Sequence, residues 1–164
     1  MALFEKFGEF NSAEEIEKAA AGLIEEGDKE SLLILAKENG FDEMDVEDWM
    51  DYGAEISDEE AAVAKLKVEE ESLNLPASSL IHDWVDYIRK MSIEDNTIAK
   101  AVRSKEKSLT ECLSKILKKS FENQWSVPSQ ITKDANVSAG RVTFGITNET
   151  ATRKIIREYY GGKA

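Results

Sequence analysis

Apolar residues recur at helical spacing along nearly the whole chain. Ser12-Ala-Glu-Glu15 has the form of a capping box, and Ile16, Ala19, Ala20, Leu23 and Ile24 follow on one face. Gly27 closes that helix. Asp28 opens the next, with Leu32, Leu33, Leu35 and Ala36 as its apolar surface and Asn39-Gly40 as its exit. Asp42 to Tyr52 predicts a third, short helix carrying Met44, Val46, Trp49 and Met50. A second capping box, Ser57-Asp-Glu-Glu60, opens a fourth that runs to about Ser72. Its apolar face of Ala61, Ala64, Leu66 and Val68 is thin for a core helix. Leu75-Pro76 closes it, because the residue before proline avoids the helical region.

Beyond that break, Leu80, Ile81, Trp84, Val85 and Ile88 make a strongly periodic face, and Ile98, Ala101 and Val102 a shorter one. Ser108-Leu-Thr-Glu111 is a third capping box, leading into Cys112, Leu113, Ile116, Leu117 and Phe121. Val127-Pro128-Ser129 interrupts. Two short helical segments are expected around 131–135 and 139–144. Thr147-Asn-Glu-Thr150 opens a last helix with Ile155, Ile156, Tyr159 and Tyr160, ended by Gly161-Gly162. Strand signals are nearly absent. The expected fold class is therefore all-α, with about eight or nine short helices in two helical lobes. These are an N-terminal lobe at 1–72, a hinge at 73–78 and a second lobe at 79–164.

Charge separates the two lobes. The 164 residues hold 21 basic and 33 acidic side chains, a net of −12. Residues 1–72 carry 6 basic and 23 acidic, a net of −17, while residues 73–164 carry 15 and 10, a net of +5. The average alone would describe an acidic protein that avoids nucleic acid; the division implies two surfaces with opposite partners, or two lobes that attract each other. An apolar fraction of 41% is enough for a folded core despite the charge. No apolar run approaches the roughly 18–20 residues of a membrane span. The start, Met1-Ala-Leu-Phe-Glu-Lys-Phe7, lacks the features of a secretory leader, and the single cysteine fits a reducing compartment. A soluble cytoplasmic protein is the expectation.

Candidate chemistry is sparse. His82 is the sole histidine, so any Ser-His-Asp arrangement would rest on it, and its position beside an apolar stripe suits a structural role. Cys112 lies on the first turn of a helix, where a dipole can activate a thiol, but Leu113 and Ile116 mark it as a small buried hydrophobe. One His and one Cys fall short of the usual zinc sets. The stretch Asp42–Asp48 lacks the glycine and alternating oxygens of a calcium loop, and no Gly-rich phosphate loop can be written. No catalytic residue, metal ligand or cofactor is expected, and the chain reads as a non-enzyme.

Charged stretches carry the functional signal. Asp42, Glu43, Asp45, Glu47, Asp48, Asp51, Glu55, Asp58 and Glu59, followed by Glu60, lie in a stretch without Lys or Arg. Carboxylates on rigid helices resemble the phosphates of a nucleic acid, and such a surface suits the basic channel of a nucleic-acid-binding protein. A solvated acidic face is the other reading. In the second lobe, Lys100, Arg103, Lys105, Lys107, Lys115, Lys118 and Lys119 fall within twenty residues, a pattern for phosphate contacts. Ile131 to Thr143 resembles a helix-turn-helix, with Ala135 packed inside, Asn136 in the turn, and Ser138 capping a helix that bears Arg141 and Thr143. A plain turn between two packing helices is the alternative.

The order of features in the second lobe resembles a known family. A Trp84-Val-Asp-Tyr-Ile88 helix precedes Lys107-Ser-Leu-Thr-Glu-Cys112 and a basic helix; Ile146-Thr-Asn-Glu149 then leads to Glu158-Tyr-Tyr160. This resembles the PcfK-like proteins of phages and mobile elements over about residues 80–160. The acidic lobe and residues 125–145 depart from the shorter members. The resemblance implies a bacterial host cell and two functions. Some such proteins are anti-CRISPR inhibitors of type II RNA-guided nucleases, which makes that nuclease or its guide-RNA complex the expected partner and the acidic residues its contact. Others accompany conjugative elements, which implies a DNA-binding accessory protein using the basic residues.

Overall fold

Capping chemistry sets most of the helix starts. The computed structural model describes residues 4–161, and among these nine α-helices carry nearly all the regular structure, so the fold is all-α. They are α1 (Ala13–Glu26), α2 (Lys29–Glu38), α3 (Glu43–Tyr52), α4 (Asp58–Ser72), α5 (Leu80–Glu94), α6 (Asn96–Arg103), α7 (Leu109–Glu122), α8 (Ser129–Asp134) and α9 (Glu149–Ile156). A π-helical turn, Arg157–Gly161, continues α9. Ser12, Asp28, Asp42, Ser57 and Ser108 each accept a backbone N–H from the turn they open. Met1–Leu3 and Gly162 lie outside the described residues. No described helix is long and apolar enough to cross a membrane.

Two cores form, and α4 serves both. Ile16, Ala20, Leu32, Leu35, Val46, Trp49, Ile56 and Ala61 belong to the N-terminal core. The C-terminal core contains Val85, Ile88, Ile98, Val102, Leu109, Cys112, Ile116, Ile156 and Tyr160, and it also takes Ala62 and Leu66 from α4. This explains the thin apolar face of α4. A helix between two cores distributes small apolar residues around its axis, and its alanines let neighbours approach closely. The stretch 73–78, expected as a hinge, joins α4 to α5, and both helices contribute to the C-terminal core.

One glycine sets how closely the end of α2 approaches α4. Gly40, at the exit of α2, has φ +89, and a Cβ there would collide with the backbone carbonyl of Ala64 in α4. Only glycine permits both that backbone conformation and that approach.

The segment after α7 departs from expectation. Residues 139–144 are not helical. Thr143–Phe144 pairs antiparallel with Trp125–Ser126 as a two-stranded ribbon, and Val127 N–H donates to Val142 O at 2.8 Å. Asn136 does turn the chain, with φ 55, but no recognition helix follows it. Gly140 disfavours a helix, the run Val142-Thr-Phe144 favours extended backbone, and the partner strand supplies the hydrogen bonds. Trp125 and Phe144 stand side by side on this ribbon, centroids 5.9 Å apart and about half exposed.

Candidate functional site

The acidic residues predicted from sequence come together over α3, the loop after it and the first turn of α4. All are exposed except Asp45 and Asp58, which are half-buried. Part of this acidity has a local explanation. Asp42 accepts from Met44 and Asp45 N–H, while Asp45 returns a bond to Asp42 N–H at 2.7 Å. Glu43, Asp58, Glu59 and Glu60 sit in first turns, where the positive end of the helix dipole favours them. Glu60 also completes the Ser57 capping box.

Four carboxylates have no such explanation. Glu47, Asp48, Asp51 and Glu55 make no hydrogen bond or ion pair to any described residue. Asp51 also lies in the last turn of α3, where the dipole is unfavourable to an anion. Among the ten carboxylates of 42–60, only Asp58 meets a cation in the described structure, Lys100 at 3.6 Å.

The predicted basic residues divide into three groups. Lys107, Lys115, Lys118 and Lys119 line one groove of about 590 Å³ between α7 and α9. Its other walls include Glu111, Glu122, Glu158 and Tyr159. The ammonium groups of Lys107 and Lys115 lie 4.6 and 5.6 Å from the centre of the Tyr159 ring. Tyr159 is inserted into the capping box of α7: its hydroxyl accepts from Ser108 N–H at 3.0 Å and donates to Glu111 Oε2 at 2.8 Å. Burial and the Glu111 carboxylate push its phenol up to about 12, so it stays protonated.

Lys100, Lys105 and Arg141 lie outside this groove. Lys100 faces Asp58, and the backbone N–H of Lys105 donates to Asn11 Oδ1 at 3.0 Å. Arg141 is exposed on the ribbon and donates from Nε to Ser126 Oγ.

Arg103 leaves the predicted patch altogether. It is 1% exposed, and its guanidinium donates to Phe10 O at 3.1 Å and Asn39 Oδ1 at 2.6 Å. Desolvation lowers it to about 10, partly offset by Glu9, Glu69 and Glu15, so it remains charged at neutral pH. A buried arginine engaged with the N-terminal segment cannot reach phosphate. The expectation failed because Arg103 follows Ile98, Ala99 and Val102 on the buried face of α6.

Lys65 was not a sequence candidate, yet it holds the seam between the two cores. Fully buried, it donates to Ser104 O at 2.7 Å and Lys107 O at 2.8 Å, and it pairs with Glu9 at 2.7 Å. The signal was available: Ala61, Ala62, Lys65 and Leu66 occupy one helical stripe, and a lysine within an apolar stripe needs buried partners. Nearby, Glu69 accepts from Leu109 N–H, and burial raises its carboxyl despite Lys65.

The two groups with catalytic potential are tied into structure. Burial pushes the Cys112 thiol up to about 12, so it is not a nucleophile at neutral pH. His82 bridges Glu70 Oε1 at 2.6 Å and Pro76 O at 3.1 Å, clasping the 73–78 connection to α4. No group of three or more His, Cys, Asp or Glu side chains among the described residues is arranged to hold a metal ion. No protein-family model matches the chain, and comparison with curated proteins and with solved structures returns no match.

Proposed function

We propose that this chain is a non-catalytic inhibitor that presents its acidic face to the nucleic-acid channel of a basic protein. A type II RNA-guided nuclease, alone or with its guide, is the target that the PcfK-like resemblance suggests. One observation supports this reading above the others. Glu47, Asp48, Asp51 and Glu55 are exposed and unpaired, and neither capping nor the helix dipole accounts for them. Occupying a channel lined with Lys and Arg would compensate them, and would compete with target DNA or block its cleavage. A cleavage assay with purified nuclease and guide RNA tests it. Inhibition is expected from the native chain and a loss of at least tenfold from Glu47→Lys/Asp48→Lys/Asp51→Lys. Undiminished cutting at a large molar excess of the native chain would overturn the proposal.

The lysine groove supports a second reading, a DNA-binding accessory protein of a mobile element. Four lysines around one groove would give affinity that falls steeply with salt. Duplex binding by the chain alone should weaken at least tenfold in Lys118→Glu/Lys119→Glu, measured by fluorescence anisotropy; unchanged binding would remove this reading.

A further inference from the structure

An apolar groove lies inside the acidic face. It holds about 350 Å³ between α3, the start of α4 and the end of α5. Phe41, Trp49, Ile56 and Val63 form its floor, with Phe41 edge-on to Trp49 at 5.0 Å. Ile93 closes one side from α5 and is 53% exposed. Asp45, Glu55, Glu59 and Glu60 stand around it. A second hollow of about 340 Å³ continues past Trp49 and Asp48 to Tyr52, a ring that is 85% exposed. The groove's basic residues are Lys67 and Arg89, and Arg89 is already held by Glu70 and Asp86.

We propose that this groove anchors an arginine-bearing, amphipathic segment of a protein partner. The inference rests on the reading of the acidic face as a protein-binding surface. An apolar floor ringed by carboxylates that meet no described cation, with Glu55 free of any hydrogen bond as well, matches a long aliphatic stem that ends in a cation. Arginine fits better than lysine, because a planar guanidinium stacks on aromatic rings and donates to two carboxylates at once. Nucleic acid and anionic lipid are repelled by the same carboxylates. Buried arginine anchors in desolvated pockets are a common source of affinity at protein interfaces, so one groove can hold a contact that the surrounding charge only steers.

The probe is a fluorescein-labelled hexapeptide of alternating leucine and arginine, compared with hexalysine by anisotropy on the full chain. The leucine–arginine peptide should bind at least tenfold more tightly than hexalysine. Ile93→Ser, at an exposed position that does not threaten folding, should lose about tenfold of that affinity, as should Glu55→Gln/Glu59→Gln. Equal binding of the two peptides, unaffected by Ile93→Ser, would overturn the groove as an anchor and leave the inhibitor reading intact. Native chain that binds the leucine–arginine peptide but inhibits no nuclease would support the groove while removing the nuclease as its partner. If the nuclease is inhibited, full inhibition by Ile93→Ser would overturn the groove's part in that contact.

Discussion

The acidic face over α3 and α4 and the lysine groove between α7 and α9 carry opposite charge, but they hold it differently. Of the carboxylates between 42 and 60, one meets a described cation. On the basic side, part of the charge is matched within the fold. Arg103 is buried, Lys119 lies 3.9 Å from Glu122, and Arg153 pairs with Glu149 and Glu94. The one buried lysine described in the acidic half, Lys65, is matched to Glu9 and meets none of the carboxylates of 42–60. Counting charge by halves understates the contrast. The acidic surface keeps its charge unmatched, while the basic one is partly neutralised from within.

The contrast can be broken most severely at its root. Lys65→Ala leaves Glu9 and the carbonyls of Ser104 and Lys107 without their buried cation, and should cost about 3–5 kcal/mol in urea unfolding. A cost below about 1 kcal/mol would mean that the seam does not depend on it. Gly40→Ala forces a side chain into the backbone of α4 at a positive φ, and should cost about 2–4 kcal/mol by the same measurement. Reversing charge at Glu47, Asp48 and Asp51 should do the opposite. Stability should stay within about 0.5 kcal/mol of the native chain, because the fold does not use these groups, while inhibition is lost.

The smallest effect is one of pH. The hydrogen bond to Glu70 raises His82 above its ordinary 6.5. A group whose folded value is raised stabilises the fold at pH below its unfolded value and loses that contribution as pH climbs through the folded one. The His82 ring resonances should therefore titrate with a midpoint above 6.5, and the α4–α5 clasp should be tightest in mild acid. A midpoint at or below 6.5 would remove the clasp.

Much of the helical layout was legible, because capping side chains and apolar spacing act locally. Ser12, Asp28, Ser57 and Ser108 announce helices that form where they predict. What stayed hidden depends on long-range partners. The ribbon of Trp125–Ser126 and Thr143–Phe144 needs two segments to find each other, and neither is long enough to read as a strand. Arg103 looks like its neighbours Lys100 and Lys105 until α6 is docked and Phe10 and Asn39 meet it. The acidic residues were all legible as a group, but only the structure separates those that cap a helix from those that do not. The apolar groove beneath them joins Phe41, Trp49 and Ile93 from three places in the chain, and no local pattern foretells it.

The tyrosine within the cap of α7 makes the start of one helix depend on a residue far along the chain. A capping box normally closes between residues three apart, within a single turn. Here the N–H of Ser108 and the carboxylate of Glu111 are joined by a hydroxyl 51 positions beyond the serine. The first turn of α7 is therefore fully satisfied only when the segment that carries Tyr159 is docked against it. The N-terminal core, whose buried members end at Ala61, contains no residue of that segment. Tyr159→Phe should thus loosen α7 and the C-terminal core while leaving in place the helices that carry the acidic residues.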